Sequence, residues 1–254
     1  NKKLIDFYGG IDDIKNKQLA IIGIPKIRFQ EDPVRILRAI RFAAKLDLSI
    51  NADITNIIHK NINLLENIPY SRLFDEVMKL FLTGHALKSV VLFNKFNLSK
   101  KFFPMLQSTN LTNQAFLKEG LSDTDKRINE NKSINPGFLL AVFLWKDVNE
   151  AWEKRKKTSL NNTVALNTAI DFVISKQSKI FPIQKRFIVT MSEIWRLQPR
   201  FKNLNPKRIY RLLGHPRFRA AYDFLLLRNR QGEIDNDLAQ WWIKFVEADD
   251  KTKS

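Results

Sequence analysis

The sequence predicts a mainly all-α protein, on three observations. From Pro33 to Leu46, basic and apolar residues segregate at the 3.6-residue period of a helix. Helix-start and helix-stop signals recur along the chain, at Asp32-Pro33, from Pro69 to Gly84, at Pro136 and at Gly214-His215-Pro216. Only one short β-prone run, Leu19 to Ile24, stands against them, and Pro25 halts it. A strand so short cannot stand alone, so residues 1–26 are expected to be the end of an α/β domain, with Tyr8-Gly9-Gly10 as a turn.

Taken in order, the first helix signal is Asp32 as N-cap with Pro33 at the first helical position. Pro69 opens a second helix expected to run to Thr83 and stop at Gly84. Residues 106–135 are rich in Asn, Ser and Thr and read as an irregular connection. A second helical block starts at Pro136 and includes the apolar run Phe138 to Trp145, followed by a polar, basic stretch around Lys154 to Asn167. The last block runs from Pro182 through Trp195 to a helix ending at Leu213-Gly214, with another starting at Pro216.

Composition narrows the function. Of 254 residues, 44% are hydrophobic and 27% charged, which fits an ordinary globular protein rather than a disordered chain. The apolar run at 138–145 is far too short to cross a bilayer, and no signal peptide opens the chain. With no cysteine, disulfides and cysteine-bound zinc are excluded, and His59, His85 and His215 are scattered. A cytoplasmic location is expected. Net charge +17, with a pI near 10.0, attracts polyanions, chiefly nucleic acid. Lysine-rich composition can also reflect a genome biased towards A and T. Here, however, the charge clusters.

The first cluster lies on the helix at 33–46. At 100° per residue, Arg35, Arg38, Arg41 and Lys45 share one arc with Phe42, while Ile36, Leu37, Ile40, Ala43 and Ala44 lie opposite and form the core face. Spacing alone leaves open a merely solvated face, with Asp32 capping. Asp32 and Arg35 argue for more. A carboxylate only accepts hydrogen bonds and a guanidinium only donates them. Three residues apart, the two can meet a base edge that offers both a donor and an acceptor, and the cations further along can meet phosphates.

The run Arg28-Phe29-Gln30-Glu31-Asp32-Pro33-Val34-Arg35-Ile36-Leu37-Arg38-Ala39-Ile40-Arg41-Phe42-Ala43-Ala44 resembles the neck motif of class II nucleotidyltransferases, which include bacterial poly(A) polymerases and CCA-adding tRNA enzymes. The resemblance implies that Asp32 and Arg35 hold the Watson–Crick edge of ATP, that Glu31 helps to orient them, and that Arg38 and Arg41 approach triphosphate or primer. Asp6 to Ile14 resembles the end of the family's catalytic head, and Ile68 to Glu76 resembles the helix that braces the neck, with Arg72 and Glu76 as an i,i+4 pair. The family's Mg²⁺-binding Asp-x-Asp, one residue apart on a strand, has no counterpart: Asp12 and Asp13 are adjacent in a turn, and Asp235 and Asp237 fall in a polar linker. The chain is therefore expected to be a fragment without its catalytic head, inactive by itself.

The second cluster lies at 185–230, where twelve Lys and Arg meet only Glu193 and Asp223, a net charge of 12 − 2 = +10. Trp195, Phe201, Tyr210, Phe218 and Tyr222 are interleaved among the cations, a pattern that suits phosphate contact and base stacking on unstructured single strands. Some of these rings must be core, as Phe224, Leu225 and Leu226 plainly are. The segments from Arg186 to Arg200 and Phe218 to Leu225, closed by Trp241-Trp242, resemble the arginine-rich C-terminal domain of bacterial poly(A) polymerases. That resemblance implies RNA contacts by Arg196, Arg200, Lys207, Arg208, Arg211, Arg217 and Arg219.

The expected organisation is a head remnant at 1–26, a neck at 27–105, a helical body at 106–180 and an arginine-rich tail at 181–254. The expected parent adds AMP from ATP, with Mg²⁺, to the 3′ ends of single-stranded RNA, in polyadenylation and decay of transcripts, as a monomer away from membranes. Two rivals stand beside it: a CCA-adding tRNA nucleotidyltransferase, and a non-catalytic RNA-binding module that kept the neck.

Overall fold

The computed structural model describes residues 5–99 and 115–248, and they fold as helices. Among the described residues there is no strand. At the edge of the β-prone run Gln18 makes an isolated parallel bridge to Ser49, with the Leu19 amide donating to the Ser49 carbonyl at 2.9 Å. Leu19 is buried there against Ala39 and Ala43. The chain divides into two compact units, 1–109 with 121–134, and 110–120 with 135–254.

The first unit holds α1 (Gly10–Lys15), α2 (Pro25–Glu31), α3 (Val34–Leu46), α4 (Ala52–Asn61), a 3-10 turn (Ile62–Asn67), α5 (Tyr70–Phe81) and α6 (Ala86–Lys95). α3 packs on both α5 and α6, and α2 on α4. The apolar arc of α3 is buried as periodicity requires: Ile36, Leu37, Ile40, Ala43 and Ala44 are each at most 2% exposed. The helix from Pro69 ends at Phe81, two residues short of Thr83, and Gly84 turns the chain at φ +79. A side chain at Gly84 would be strained there, and its Cβ would come within 2.5 Å of Asn129 Oδ1.

Residues 115–129, expected to be irregular, form α7 (Ala115–Asn129), whose last residues belong to the first unit and whose first six belong to the second. In the first unit, the Asp125 carboxylate caps α6 by accepting from the amides of Ala86 and Leu87. Burial pushes its pKa up, even though those two bonds favour the ionised form. The part of the expected connection at 106–114 lies outside the described residues.

The second unit is built on α8 (Pro136–Lys156), whose stretch from Leu139 to Trp145 is wholly buried. α9 (Asn162–Ile180) and α10 (Lys185–Leu197) pack on it, and α12 (Phe218–Arg230) packs on α10. A 3-10 turn (Gln198–Lys202), α11 (Pro206–Leu213) and α13 (Asn236–Glu247) complete the unit. Asparagine caps α8, α9 and α11: Asn135 accepts from Gly137, Asn161 from Thr163 and Asn205 from Lys207. The basic stretch at 154–167 is thus the end of one helix and the start of the next. α12 begins at Phe218, two residues after Pro216. Asp235 caps α13 by accepting from the Asp237 amide at 2.8 Å, so this acid pair starts a helix. No described helix is long and apolar enough to cross a membrane.

Candidate functional site

The neck site is set by a break between two helices. Pro33 disfavours helical geometry at the residue before it and has no amide hydrogen to donate. Asp32 accordingly takes an extended conformation, φ −146 and ψ 91, at the end of α2, and α3 starts just after Pro33 with no side-chain cap. The expected N-cap role of Asp32 is therefore not realised. Its carboxylate is directed elsewhere: one Arg72 nitrogen donates to both oxygens, at 2.9 and 3.0 Å.

From that carboxylate a chain of alternating charge extends. Arg38 Nη1 lies 3.9 Å from Asp32 Oδ2, and Arg38 Nη2 lies 3.4 Å from Glu76 Oε1. Lys79 donates to the same Glu76 oxygen at 3.0 Å. The expected i,i+4 pair of Arg72 with Glu76 does not form: Arg72 turns to Asp32, while Glu76 takes Lys79 of its own helix and Arg38 of α3. Arg38 thus faces carboxylates rather than an open phosphate path. Glu31 pairs with Arg28 at 2.6 Å, so its side chain is turned to its own helix.

Arg35 differs from its neighbours. It is half-buried, makes no ion pair, and its Nε is buried without a hydrogen-bond partner. A guanidinium half out of water with a donor unspent is poised to gain from a ligand acceptor. Asp32 also keeps capacity, since each of its oxygens accepts only one strong bond here. Arg41 likewise has a buried, unpaired Nε, and its guanidinium lies 4.9 Å from the Phe42 ring, which is 43% exposed.

Glu76 anchors this network and is 6% exposed. Burial raises its pKa, but the Lys79 hydrogen bond and charge, with Arg38 adding to them, outweigh burial and hold it below its ordinary value of 4.5. A depressed carboxylate pKa contributes stability above the unfolded value and loses it as pH falls through the folded one. Glu76→Gln is therefore expected to lower stability near pH 7 by about 1 kcal/mol, counting one net charge-assisted bond between half-exposed partners. Thermal unfolding at pH 7 and pH 4 checks this: the gap between variant and wild type should shrink at the lower pH.

The tail cations sort into two kinds. Arg196 donates to Asn167 at 2.9 Å, Arg217 pairs with Glu193 at 3.1 Å, and Arg219 pairs with Asp223 at 3.1 Å. Arg200, Lys207, Arg208 and Arg211 are exposed and make no ion pair among the described residues. On α11, Lys207 and Arg211 lie opposite the buried Ile209 and Leu212, and Arg208 flanks that face. Arg228, counted among the basic residues of this segment, faces inward: it is 6% exposed, donates to Glu233 at 2.9 Å and lies 4.6 Å from the Trp145 ring. Trp195, Phe201 and Tyr222 are core and Phe218 packs against the same cluster, which leaves Tyr210, 51% exposed, as the stacking candidate.

Two family profiles match this chain. One, described as the arginine-rich C-terminus of polymerase A, covers residues 158–254; the other, described as the probable RNA and SrmB-binding site of polymerase A, covers residues 47–109. Poly(A) polymerase I of Escherichia coli O6:H1 is 35% identical over 249 residues, 94% of this chain and 53% of that protein. A CCA-adding enzyme of Ligilactobacillus salivarius is 32% identical over 174 residues, 68% of this chain and 42% of that protein. In fold, the Thermotoga maritima CCA-adding enzyme complexed with tRNA superposes with a TM-score of 0.59 at 19% identity, over 95% of this chain and 53% of that one.

The helical architecture is that of the matching region of a CCA-adding enzyme, and two stretches of the chain match domains of polymerase A. The likeness to a poly(A) polymerase runs across 94% of this chain, against 68% for the CCA-adding enzyme, and both matched profiles are of polymerase A domains. The chain spans about half the length of the curated poly(A) polymerase that it matches.

Proposed function

We propose that this chain is the base-selecting and RNA-holding part of a template-independent RNA 3′-adenylyltransferase. The observation that carries the reading is the pairing, at the start of α3, of a carboxylate held in place by Arg72 with a guanidinium that has no partner. Adenine offers an amino hydrogen at N6 beside a ring-nitrogen acceptor at N1. Asp32 accepts the first and Arg35 donates to the second. Uracil and guanine present the reverse order of donor and acceptor, so their edges set acceptor against carboxylate. Cytosine shares adenine's order, which suits a family that also includes CCA-adding enzymes; pocket size must reject it here.

In this reading Arg72, Arg38 and Glu76 fix the plane of the Asp32 carboxylate, Glu31 steadies the preceding turn, and Arg41 meets triphosphate or primer. ATP is the nucleotide, and Mg²⁺ would be held by a catalytic head whose carboxylates these residues do not supply. Residues 1–26 abut that head, 27–105 form the neck, 106–180 the body and 181–254 the RNA-holding tail. The work is cytoplasmic processing and decay of transcripts, by a monomer.

RNA binding gives the test of the tail. Phosphate contacts to a single strand each contribute about 0.7 to the slope of log K against log salt. Arg208→Ala with Arg211→Ala should weaken binding of an oligo(A) strand and flatten that slope by about 1.4. Arg219→Ala should do less, because Arg219 is already tied to Asp223. An unchanged slope in the double variant would remove α11 from the RNA surface. Extension of a tRNA by three nucleotides, followed by arrest, would favour the CCA-adding reading instead.

A further inference from the structure

Two cavities in the second unit share Lys202 and Glu233. One, about 540 Å³, has an apolar lining of Leu204, Ile234, Leu238 and Trp241, with Asp235 and Asp237 at its edge. The other, about 210 Å³, is lined by Lys156, Arg228, Asn162 and Trp152 among others. We propose that together they form a site for one nucleotide of a bound strand, with phosphate in the smaller cavity and base in the larger. The proposal rests on the RNA-holding reading of this unit and adds a base preference to it.

The charges fix the orientation. Lys156, Lys202 and Arg228 converge on the smaller cavity against Glu153 and Glu233, which leaves one cation in excess. Glu153 pairs with Lys156 and Glu233 with Arg228, so Lys202, exposed and without an ion pair among the described residues, is the cation open to an incoming phosphate. The larger cavity has three acids against Lys202 alone and repels phosphate, but its apolar lining accepts an uncharged ring. Its volume is that of ordinary small-molecule sites, about 300–1,000 Å³. Trp241 is half-buried, stacks on Phe245 at 4.9 Å, and still lines the cavity as an aromatic contact for a base.

Selectivity comes from Asp237. Among the described residues its exposed carboxylate makes no hydrogen bond or ion pair, whereas Asp235 caps α13 and Glu233 is engaged by Arg228 and Trp145. A free carboxylate accepts from the exocyclic amino group of adenine, whereas uracil offers only an N3–H set between two carbonyls that repel it. The site therefore favours adenine-containing strands over uridine-containing ones.

The experiment measures binding of oligo(A) and oligo(U) decamers to the whole chain by fluorescence anisotropy, with free AMP as competitor. Wild type should prefer oligo(A) by about tenfold, the scale of one charge-assisted hydrogen bond. Asp237→Ala should bring the two affinities close together without weakening oligo(U), while Lys202→Ala should weaken both. AMP should compete with oligo(A) on wild type and compete less well on Asp237→Ala; failure of AMP to compete with wild type at any concentration would overturn the one-nucleotide site. Tight, salt-dependent binding of both decamers with an unchanged ratio in Asp237→Ala would overturn the pocket and keep the RNA reading. Binding of neither decamer would overturn both.

Discussion

Arg35→Ala, made in the full-length parent, is expected to erase most of the preference for ATP over GTP and UTP. Arg35 contributes a donor already half-withdrawn from water and not committed to any protein acceptor. Removing it forfeits a charge-assisted bond to the base, on the order of 1.5–3 kcal/mol, or about ten- to hundredfold in discrimination. The fold should tolerate the change, since Arg35 makes no ion pair and the core face of α3 lies opposite. Selectivity is read as the ratio of kcat/KM values between nucleotides, with thermal stability measured alongside. Loss of stability with unchanged selectivity would make Arg35 a structural residue.

Arg228→Ala is expected to have the largest effect on stability in the second unit. The guanidinium is buried, and burial pushes its pKa down while the Glu233 hydrogen bond and charge act against that. It donates to Glu233 and to Gln198, and lies against the Trp145 ring. Deleting one partner of a buried pair costs more than the pair contributes, because the remaining charge loses its counter-ion. Glu233 would keep only the Trp145 indole N–H, and a cavity would open beside that ring. The expected loss is about 3 kcal/mol, at the low end for a buried pair because Glu233 is partly exposed. Arg228→Met, which fills the space but not the charge, should lose less if the cavity dominates and as much if the stranded carboxylate does. Urea unfolding of the three proteins separates the cases.

What could be read from the sequence follows the range of the interactions. The buried arc of α3 was legible because a 100° rotation per residue is local, and the start of α8 because Pro136 marks it directly. Asp32 has the extended backbone of an N-cap, but a distant partner overrides the local rule: Arg72 draws both carboxylate oxygens away from the α3 amides. The link from Arg72 to Asp32 spans 40 residues and has no local signature, whereas the i,i+4 spacing of Arg72 and Glu76 offers a false one. α7 was missed because it is polar, with only Leu117 and Leu121 among its apolar residues fully buried. In the tail, charge was legible but direction was not. Arg228 and Arg211 look alike in sequence, and packing alone turns one inward and leaves the other in water.

The base-reading pair itself can be tested with a nucleotide that lacks one of the two groups. Purine riboside triphosphate keeps the ring nitrogen that Arg35 would meet and lacks the amino group that Asp32 would accept. In the full-length parent, wild type should use this analogue at least tenfold less efficiently than ATP, the scale of one charge-assisted bond. Asp32→Ala should use the two nucleotides about equally, while Arg35→Ala should still distinguish them. If Asp32→Ala keeps the full preference for ATP, the carboxylate at the head of α3 does not read the base.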